Sequence, residues 1–468
     1  MGGKDYGDTV AVILAAGKNK RMKSNIPKAM HKAGGTPMIG LIRDAVEGAG
    51  IRSCVVVVGF GAPQIMEYLG DRAEYTFQRE QLGTGHALLT ALGYLDGFDG
   101  RVLCMYADMP LMSSGTFIEV IGQNKTNGEQ GTLVYADMEG QTGYGRIIRD
   151  GGGNFIKITE EKDASEEEAR IREMNIGLYC FEAAAARKAL GRLNTDNSQG
   201  EMYLTDVFAE ILKDGGRVGT YKIRDNRECI GTNDRAGLAE LNRLLYMDKC
   251  MELMLESGVT VIDPETTYID RGVTVGMETV IYPGCVIEGR TAIGEGCEIG
   301  PNVKIRDSSI GARAVVEYSV INGAEIGDGA MVGPFAHLRP GAQIGAASRI
   351  GNFVEIKKSG IGDNVKISHM SYIGDADVGD GVNIGCGVIT CNYDGAQKHR
   401  TVIGENSFIG SNSNLIAPVT VNKNSYVASG STITLDVPED ALAIARGRQV
   451  NKERWVTEKL PNTERKKE

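Results

Sequence analysis

Hydrophobic and polar positions follow one pattern in the first half of the chain and another in the second. From about residue 8 to residue 233, short and nearly unbroken aliphatic runs alternate with helix-like stretches, and four of these runs read VAVILAAG, CVVVVGF, RVLCMYADMP and GTLVYADM. Such runs are typical of strands buried on both faces of a mostly parallel sheet that has helices on either side. The pattern predicts an α/β domain whose ligands bind beyond the carboxyl ends of the strands.

The next segment has the spacing of a helix. Residues 234–257 read DRAGLAELNRLLYMDKCMELMLES, with apolar residues at roughly helical intervals and no proline. Asp234 is a candidate N-cap, and Gly258 stands where the helix would end. We predict a helix over 234–258 that links two domains and is about 35 Å long, at about 1.5 Å per residue.

After this helix an aliphatic residue recurs at every sixth position. The spacing holds in three runs, which are Ile269, Val275, Ile281, Ile287, Ile293, Ile299 and Ile305; Ile326, Val332, Leu338, Ile344, Ile350 and Ile356; and Ile403, Ile409, Leu415, Val421, Val427 and Ile433. This hexapeptide repeat predicts a left-handed parallel β-helix with the aliphatic residues pointing inward. At about 18 residues per triangular coil and about 4.8 Å per stacked strand, the prism would be about 50 Å tall.

The repeat is interrupted in four places. Its phase slips near Ile310, Ile361 and Val378, and it fails across 390–402, which reads TCNYDGAQKHRTV. We predict that 390–402 is a loop expelled from the coil, and loops on a rigid scaffold often carry functional residues. The basic tail 447–468 follows the repeat, and the sequence leaves open whether it caps the β-helix, contacts a neighbouring subunit or is disordered.

Composition and charge narrow the class of protein. The 468 residues are 42% hydrophobic and carry a net charge of −10, so sizeable cores are expected and nucleic acid is not an expected partner. No apolar run approaches the roughly 18 residues of a membrane helix, and MGGKDYGDTV has no apolar targeting region, so we expect a cytoplasmic protein without a membrane partner. The nine cysteines form no C-x-x-C pair, as expected in a reducing compartment, and the five histidines lack the H-x-x-x-H spacing of a zinc site.

Three segments of the α/β half carry candidate chemistry for a nucleotide. The glycine loop GKNKRM after the first strand would present backbone N–H groups and a helix dipole to phosphate, with Arg21 and Lys28 as nearby cations. Gln81, in EQLGTGHAL, has an amide that can donate and accept toward a base edge. Asp108, in YADMP, ends an apolar strand where a carboxylate can bind Mg²⁺. Taken singly, each segment has a plainer interpretation: a basic surface helix, a common glycine turn, or a carboxylate that caps a turn.

In this order the segments resemble the sugar-1-phosphate nucleotidyltransferases, whose pattern is L-x-x-G-x-G-T-R-M, a lysine after proline, Q-x-x-G-T-G and a metal-binding Asp. The stretches GYGRIIRD, ITEEKDA, EMNIGLYCF and IGTNDRAGLAE make residues 1–233 similar to the uridylyltransferase domain of the bifunctional enzymes that synthesise UDP-N-acetylglucosamine. The resemblance implies a Rossmann-like, mostly parallel α/β nucleotidyltransferase domain. The run Gly17-Lys18-Asn19-Lys20-Arg21-Met22 departs from the family because the second glycine and the threonine are missing, so the nucleotide affinity can differ from that of the family.

The resemblance also implies roles for single residues. Arg21 and Lys28 would be catalytic and would hold the phosphates of UTP. The remaining nucleotide-binding residues would be Leu14, Ala15, Gly17, Gln78, Gln81, Gly83, Thr84 and Tyr106. The amino sugar would be bound by Gly145, Glu160, Asn175 and Asn233, and Mg²⁺ would be ligated by Asp108 and Asn233. Two plainer interpretations stay open, namely Glu160 as part of an acidic loop and Asn233 as the cap of the linker helix.

Polar and aromatic residues interrupt the regular β-helix positions, where aliphatic or small residues are expected. They cluster in HLRPG, VEIKKSG, SHMSYIGD and VNIGCGVITCNYDGAQKHR, and they are Arg339, Lys357, His369, Tyr372, Asn383, Asn392, Tyr393 and Lys398. His369 alone would more often be a structural, hydrogen-bonded histidine. Several of the others recur at about one-coil spacing, however, and the constellation matches the acetyltransferase domain of the same bifunctional enzymes. The resemblance therefore covers roughly residues 8–450.

This match implies a second active site over 259–446. Arg339 and Lys357 would hold the phosphate of glucosamine-1-phosphate, and the sugar would be bound by Tyr372, Asn383 and Lys398. His369 would be the general base that takes a proton as the amine attacks acetyl-CoA. Acetyl-CoA would contact Cys386, Asn392, Tyr393, Ser411, Ser429 and Arg446, although the family usually has alanine at Cys386 and often at Ser429. The family also implies a homotrimer that associates through the β-helix.

The sequence thus predicts a bifunctional enzyme, which acetylates glucosamine-1-phosphate and then transfers UMP from UTP to the product. The products are UDP-N-acetylglucosamine, a precursor for peptidoglycan and lipopolysaccharide, and pyrophosphate. One alternative is a monofunctional nucleotidyltransferase of the ADP-glucose pyrophosphorylase type with a regulatory or structural β-helix, but His369 beside Tyr372 and Asn383 speaks against it. A non-enzymatic scaffold or translation-factor subunit would have degenerate catalytic positions. A γ-class carbonic anhydrase needs three metal-binding histidines, and the histidines of the β-helix lack the required spacing.

Overall fold

The structure is a computed structural model, and it describes residues 7–18, 21–139 and 143–459. The chain divides into two compact units, Met1–Leu245 and Tyr246–Glu468, and the division falls within the helix Arg235–Glu256. Asp234 caps this helix as predicted, because its Oδ1 accepts a hydrogen bond from the backbone N–H of Gly237 at 2.9 Å. Within the described ranges, no helix combines the length and the apolar character needed to cross a membrane.

A nine-stranded sheet organises the first unit. Seven of its strands follow one another in the order Val218–Lys222, Gly131–Asp137, Glu173–Glu182, Arg101–Tyr106, Thr9–Ala15, Ser53–Val58 and Glu74–Phe77. Glu173–Glu182 runs antiparallel to both of its neighbours, and the other pairs along this path are parallel. A hairpin of Gly145–Arg149 and Phe155–Thr159 extends the sheet beside Glu173–Glu182. The predicted mostly parallel α/β sheet is confirmed.

The strand Thr9–Ala15 shows why the sheet is covered on both faces. Val10 and Val12 pack into one hydrophobic cluster, and Ala11 and Ile13 pack into another, because successive side chains of a strand point to opposite faces. The cluster around Ala11 and Ile13 includes residues of the helices Met38–Gly48, Ala62–Leu69 and Ser114–Asn127. The other cluster includes residues of Thr84–Tyr94, Ala183–Leu190 and Val207–Lys213.

Three parallel sheets wind around the second unit as the predicted left-handed β-helix. The first sheet contains Thr260–Val261, Val280–Ile281, Glu298–Ile299, Val315–Val316, Met331–Val332, Arg349–Asn352, Lys366–His369, Asn383–Ile384, Phe408–Ile409, Tyr426–Val427 and Leu442–Ala443. The second contains Tyr268–Ile269, Val286–Glu288, Lys304–Arg306, Val320–Asn322, His337–Leu338, Glu355–Lys357, Tyr372–Gly374, Ile389–Cys391, Asn414–Ile416 and Thr432–Ile433. The third contains Thr274–Val275, Ala292–Ile293, Ser309–Ile310, Glu325–Ile326, Gln343–Ile344, Gly360–Ile361, Ala376–Val378, Thr401–Ile403 and Val419–Val421. A short helix, Trp455–Lys459, follows the last strand.

The core of the β-helix receives an aliphatic side chain from most of the strands. Ile305 is fully buried, for example, while its neighbours Lys304 and Arg306 on the same strand are exposed. The predicted phase slips correspond to coils that are one residue short. Ala292 pairs with Thr274 on the preceding coil and with Ser309 on the next, and the second pair is one residue closer together in the sequence than the first. The aliphatic residues at the slips remain buried; they are Ile310, Ile361 and Val378.

The expelled loop is shorter than the sequence predicted. The strands Ile389–Cys391 and Thr401–Ile403 keep their register with the neighbouring coils, so the loop comprises 392–400. The prediction is wrong at both ends because Thr390 and Thr401 stay inside the coil, where both are fully buried. The hydroxyl of Thr390 accepts a hydrogen bond from the backbone N–H of Gly374 at 2.8 Å, which satisfies a polar side chain in the core.

Candidate active sites

The carboxyl ends of neighbouring strands bring the candidate nucleotide-binding loops together in the first unit. The N–H of Ala107 donates to the backbone oxygen of Leu14 at 3.1 Å. The side-chain amide of Gln81 donates to the backbone oxygen of Ala16 at 2.7 Å. This edge of the sheet therefore carries Leu14, Ala15, Gly17 and Gln81. Two residues of the loop, Asn19 and Lys20, lie outside the described residues.

Lys28 forms one cluster with three other residues singled out in the sequence. Its ammonium group forms an ion pair with Asp108 and donates a hydrogen bond to Asn233 Oδ1 at 2.8 Å. Arg21 Nη2 donates to the same oxygen at 2.7 Å. The N–H of Thr232 donates to the backbone oxygen of Asp108 at 3.0 Å, so the segments that carry the two oxygen ligands lie side by side. The result is one cluster of two cations and two oxygen ligands.

Asp108 and Asn233 have the donor chemistry of a divalent-cation site. A carboxylate and an amide oxygen are hard ligands, and both face one positive group, the Lys28 ammonium. Small divalent cations often take one or two protein oxygens and complete their coordination with water and substrate phosphate. In the described part of the chain, no three His, Cys, Asp or Glu side chains group together as a metal site of their own. The carboxylate of Asp108 and the amide oxygen of Asn233 thus have the chemistry that suits a divalent cation.

The turn at Gly83 is so tightly packed that it requires glycine. Gly83 has a φ of +111°, and a Cβ atom there would lie 2.6 Å from the backbone oxygen of Met202. Buried Gln78 donates from Nε2 to the backbone oxygen of Gly83 at 3.0 Å, and the same nitrogen lies 3.1 Å from His86 Nδ1. Thr84 follows as the first residue of a helix. Sequence reasoning missed His86, although it stands in the same G-T-G-H stretch.

A cavity of about 340 Å³ opens beside this turn. It is lined by Lys18, Gly59, Phe60, Phe77, Gln78, Arg79 and Gln81. Gln78 and Gln81 are the residues expected to contact a base, whereas the aromatic rings and Arg79 were not singled out in the sequence. Aromatic faces next to a few amide groups suit the recognition of a flat heterocycle.

A second group of residues lies where the hairpin joins the sheet. Gly145 and Asn175 pair directly across two antiparallel strands. Asn175 is buried, and its Nδ2 donates to the hydroxyl of Tyr179 at 2.7 Å. The ring of Tyr106 stands edge-on to that of Tyr179, with centroids 6.4 Å apart. A Cβ atom at Gly177 would lie 2.3 Å from the Tyr106 ring, so glycine is needed to make room for it.

Burial changes the acid–base properties of two side chains in this group. Burial raises the pKa of Glu160 above its usual value, and the Thr205 hydroxyl, which donates to Glu160 Oε1 at 2.9 Å, opposes the shift. Burial also raises the pKa of Tyr106, and the charge of Glu160 adds to that shift. Glu160 thus accepts a hydrogen bond from Thr205 in a sheltered place.

In the second unit, four of the singled-out residues form a column along the coils. Strand register aligns Ile367, Ile384, Ile409 and Val427 of the first sheet. Each member of the column stands two positions after one of these residues, and the members are His369, Cys386, Ser411 and Ser429. Arg446, on the next coil, donates from Nη1 to the backbone oxygen of Ser429 at 3.1 Å. Four of the residues expected to contact acetyl-CoA thus lie on one line with His369, namely Cys386, Ser411, Ser429 and Arg446.

Asn352 precedes His369 in this column and fixes its ring. The two residues are register partners on adjacent coils, and His369 Nδ1 lies 2.6 Å from Asn352 Oδ1. An amide oxygen can only accept, so Nδ1 carries the proton and Nε2 keeps its lone pair. His369 is exposed, which leaves Nε2 accessible to a substrate. Sequence reasoning missed Asn352; the available signal was a polar residue 17 positions, or one coil, before the histidine.

Three cations gather on and beside the second sheet. Arg339 and Lys357 occupy the same position on successive coils, because Leu338 pairs with Ile356. The ammonium of Lys398 beside Lys357 lowers the pKa of the Lys357 side chain, and Arg339 contributes in the same direction. Arg339 is also paired with Glu355, whose Oε1 accepts from Arg339 Nη1 at 2.8 Å. The remaining repulsion, between Lys357 and Lys398, favours an anion beside them, and a phosphate would meet that need.

The expelled loop is tied to the coil next to these cations. Asn392 is buried and donates from Nδ2 to Asp375 Oδ2 at 2.5 Å and to the Tyr372 hydroxyl at 3.4 Å. Tyr393 forms a bridge with Lys398 across the loop. The structure places Asn383 on the first sheet, between Lys366 and Phe408, whereas Tyr372 belongs to the second. Asp375 is a further residue that the sequence did not single out.

Comparison with protein families identifies each unit separately. Residues 11–205 match the MobA-like NTP transferase domain. Residues 272–307, 323–358 and 400–434 match the bacterial transferase hexapeptide, a model of six repeats. The fold and the two residue clusters thus define a class of protein in which a nucleotidyltransferase unit is followed by a hexapeptide-repeat acyltransferase unit.

Relatives that span both units narrow this class. The chain is 50% identical over 446 residues to the Bifunctional protein GlmU of Geobacillus sp. (strain WCH70), which is 95% of this chain and 97% of the relative. It is 50% identical over 445 residues to the Bifunctional protein GlmU of Carboxydothermus hydrogenoformans, with coverage of 95% and 99%. The chain belongs to the GlmU family. The predicted bifunctional assignment, an acetyltransferase and a uridylyltransferase in one chain, is confirmed; the monofunctional alternative is not favoured, and the family indicates a divalent metal at the nucleotidyltransferase site.

Proposed function

We propose that the residues gathered in the two units carry out two successive reactions: acetylation of glucosamine-1-phosphate by acetyl-CoA in the second unit, then uridylylation of the product by UTP in the first. The observation that carries this proposal is the geometry of His369. A β-helix that served only as a scaffold would have no use for an exposed imidazole whose tautomer is fixed at the start of a polar column.

In the first unit, the sugar phosphate is already an anionic nucleophile, so the reaction needs no general base. Arg21 and Lys28 bind the triphosphate while the sugar phosphate attacks the α-phosphorus in line and pyrophosphate leaves. Asp108 and Asn233 would hold Mg²⁺, which would neutralise charge on the triphosphate. The base is bound by Gln78, Gln81, Gly83 and Thr84. The amino sugar is bound by Gly145, Glu160 and Asn175.

In the second unit, Arg339, Lys357 and Lys398 bind the phosphate and the nearby sugar. His369 Nε2 takes a proton from the amine as the nitrogen attacks the thioester carbonyl, and CoA leaves as the thiol. The proton acceptor in this step is the Nε2 atom that does not face Asn352. Tyr372 and Asn383 orient the sugar. Acetyl-CoA runs along the column from Cys386 toward Ser411, Ser429 and Arg446, with Asn392 and Tyr393 at its side.

A homotrimer through the β-helix is part of the proposal. Tyr318, Phe335, Phe353 and Met370 stand on successive coils, and we call this set the apolar ladder. Its side chains are 42% to 62% exposed, and the rings of Phe335 and Phe353 stack with centroids 5.5 Å apart. All four residues have a positive φ, a conformation that is unfavourable for bulky side chains. A strained and exposed apolar strip that ends beside His369 is best explained by a second copy of the chain that covers it.

The proposal includes a cytoplasmic location and the predicted domain limits. All nine cysteines lie among the described residues and are free, and seven of them are buried, which suits a reducing compartment. The domains would be 1–233 for uridylyl transfer, 234–258 for the linker helix, 259–446 for acetyl transfer and 447–468 for the tail.

The experiment that tests this proposal uses the purified protein with acetyl-CoA and glucosamine-1-phosphate and measures thiol release. Galactosamine-1-phosphate serves as the matched substrate that differs at one sugar hydroxyl. Thiol release that prefers glucosamine-1-phosphate is expected. Absence of thiol release, with pyrophosphate still formed from UTP and N-acetylglucosamine-1-phosphate, would show that the β-helix is not catalytic.

A further inference from the structure

Lys28 lies between the two oxygen ligands of the proposed metal site. Its ammonium group is paired with Asp108 and hydrogen-bonded to Asn233 Oδ1 at 2.8 Å. An ammonium group and a divalent cation bind to the same kind of oxygen atom. Here the side-chain oxygens of Asp108 and Asn233 both contact Lys28 Nζ. We propose that Lys28 is an internal counter-ion that competes with the divalent cation for Asp108 and Asn233 until the triphosphate draws it away. The inference rests on the proposed uridylyl transfer and adds a coupling between nucleotide and metal binding.

The protein's own cations already satisfy both oxygen ligands in this structure. The side chains of Lys28 and Asp108 are 22% and 27% exposed, so water screens their pairing only in part. Arg21 Nη2 adds a second cationic donor to Asn233, at 2.7 Å. A divalent cation that approaches this site must break charge-assisted hydrogen bonds and must also meet a like charge a few ångströms away. We therefore expect weak metal binding by the protein alone.

A triphosphate changes this competition. It brings several negative charges to the loop that carries Arg21, and Lys28 has a flexible stem that allows its ammonium to turn toward them. Asp108 and Asn233 then lose their internal partner, and the phosphate oxygens add ligands to the same cation. Because linkage is reciprocal, the metal must strengthen nucleotide binding by the same factor by which the nucleotide strengthens metal binding.

The test measures Mn²⁺ binding to the full-length protein without nucleotide, by the loss of the free-ion signal in electron paramagnetic resonance. Lys28→Met should bind Mn²⁺ about tenfold more tightly than the wild type, because a hydrogen-bonded ion pair no longer has to be broken. Lys23→Met is the matched control: it removes the same charge from an exposed position five residues earlier in the chain, and its affinity should stay near that of the wild type. Lys28→Arg keeps the charge and should keep the weak binding.

Asp108→Asn separates this inference from the proposed function. In the Lys28→Met background it should abolish the tight Mn²⁺ site. If Lys28→Met binds Mn²⁺ no better than the wild type while Asp108→Asn still removes what binding there is, the metal site stands and the competition is wrong. If Asp108→Asn leaves Mn²⁺ binding unchanged in both backgrounds, the proposed metal site itself is wrong. A far-ultraviolet circular dichroism spectrum of each variant confirms that it is folded.

Discussion

His369 and Asn352 stand one above the other on adjacent coils, with the imidazole Nδ1 2.6 Å from the amide Oδ1. The amide oxygen fixes the proton on Nδ1 and leaves the lone pair on Nε2. Asn352 does not reach the reacting atoms in the proposed reaction, so its role is to position the base. Its contribution should appear in the pH dependence of acetyl transfer as well as in the rate.

Asn352→Ala should lower kcat for acetyl transfer by about tenfold to a hundredfold with little change in KM for glucosamine-1-phosphate, because the imidazole loses the partner that orients it. Asn352→Asp places a carboxylate beside Nδ1 and stabilises the protonated imidazole, which cannot accept a proton. The acid limb of the kcat/KM profile should therefore move to higher pH in this variant. A pH profile that is the same in Asn352→Asp and the wild type would contradict a positioning role.

The two proposed sites should fail independently. His369→Ala is expected to abolish thiol release from acetyl-CoA and to leave pyrophosphate release from UTP and N-acetylglucosamine-1-phosphate intact, because it lies in the second unit. Asp108→Ala should abolish pyrophosphate release and leave thiol release intact. Both activities are measured on each variant after its folding is checked by circular dichroism. Equal loss of both activities in either folded variant would overturn the assignment of one reaction to each unit.

The β-helix could be predicted because nearly all of its coils follow the same pattern. Most inward positions, such as Ile305 and Ile350, exclude water and hold an aliphatic side chain, so the period of six is visible in the sequence. The ends of the expelled loop were predicted wrongly for the same reason, since Thr390 and Thr401 do not look like core residues. The buried hydroxyl of Thr390 is satisfied by backbone groups of the neighbouring coil, and a pattern of hydrophobicity cannot show that.

The candidate sites could be predicted residue by residue but not as an arrangement. Lys28 lies 80 positions from Asp108 and 205 from Asn233, so their meeting depends on the tertiary fold. Asn352 was missed because asparagine is common at the corners of this β-helix. Many such corners adopt a positive φ that asparagine tolerates, and Asn302, Asn364, Asn406, Asn412 and Asn424 are examples. One more asparagine near a corner carries no signal until the register places it beside His369.

Glu160 should make the stability of the first unit depend on pH. Its pKa is raised by burial, so the folded state holds the proton more tightly than the unfolded state, and stability falls as pH rises through the raised pKa. Glu160→Gln cannot ionise, and its side-chain oxygen can still accept from Thr205. We expect this variant to raise the Tm of the unit by about 2–4 °C at pH 8 and by less at pH 4.

Glu166→Gln is the matched control for this measurement, because Glu166 is an exposed glutamate of the same segment. Its Tm should follow that of the wild type at both pH values. Glu160→Gln should also bind the amino sugar less tightly. This is expected where a carboxylate serves function at a cost in stability. A Tm difference for Glu160→Gln that is equal at pH 4 and pH 8 would show that ionisation is not the cause.

The apolar ladder should control assembly and acetyl transfer together. Phe335→Asp and Phe353→Asp each place a charge in the strip that we propose to be covered by another copy, so light scattering should detect smaller species than the trimer proposed for the wild type. Thiol release should fall because the ladder ends beside His369, while pyrophosphate release should persist. Val320→Asp is the control, since Val320 is 44% exposed on the second sheet and lies outside the ladder. Trimers of normal size in both phenylalanine variants would mean that another surface mediates assembly.

Cys386 should limit the size of the acyl group. It stands between His369 and Ser411 in the column, and its side chain is exposed toward the path proposed for acetyl-CoA. Cys386→Ala removes the sulfur atom and leaves space next to the base. Propionyl-CoA has one methylene group more than acetyl-CoA, and in a closely fitting pocket one methylene group changes kcat/KM by about tenfold or more. The ratio of kcat/KM for acetyl-CoA to that for propionyl-CoA should therefore fall by about tenfold in this variant. Cys391→Ala alters a partly buried thiol on the second sheet and should leave the ratio unchanged. If the ratio is the same in Cys386→Ala and the wild type, the acyl group must lie elsewhere along the column.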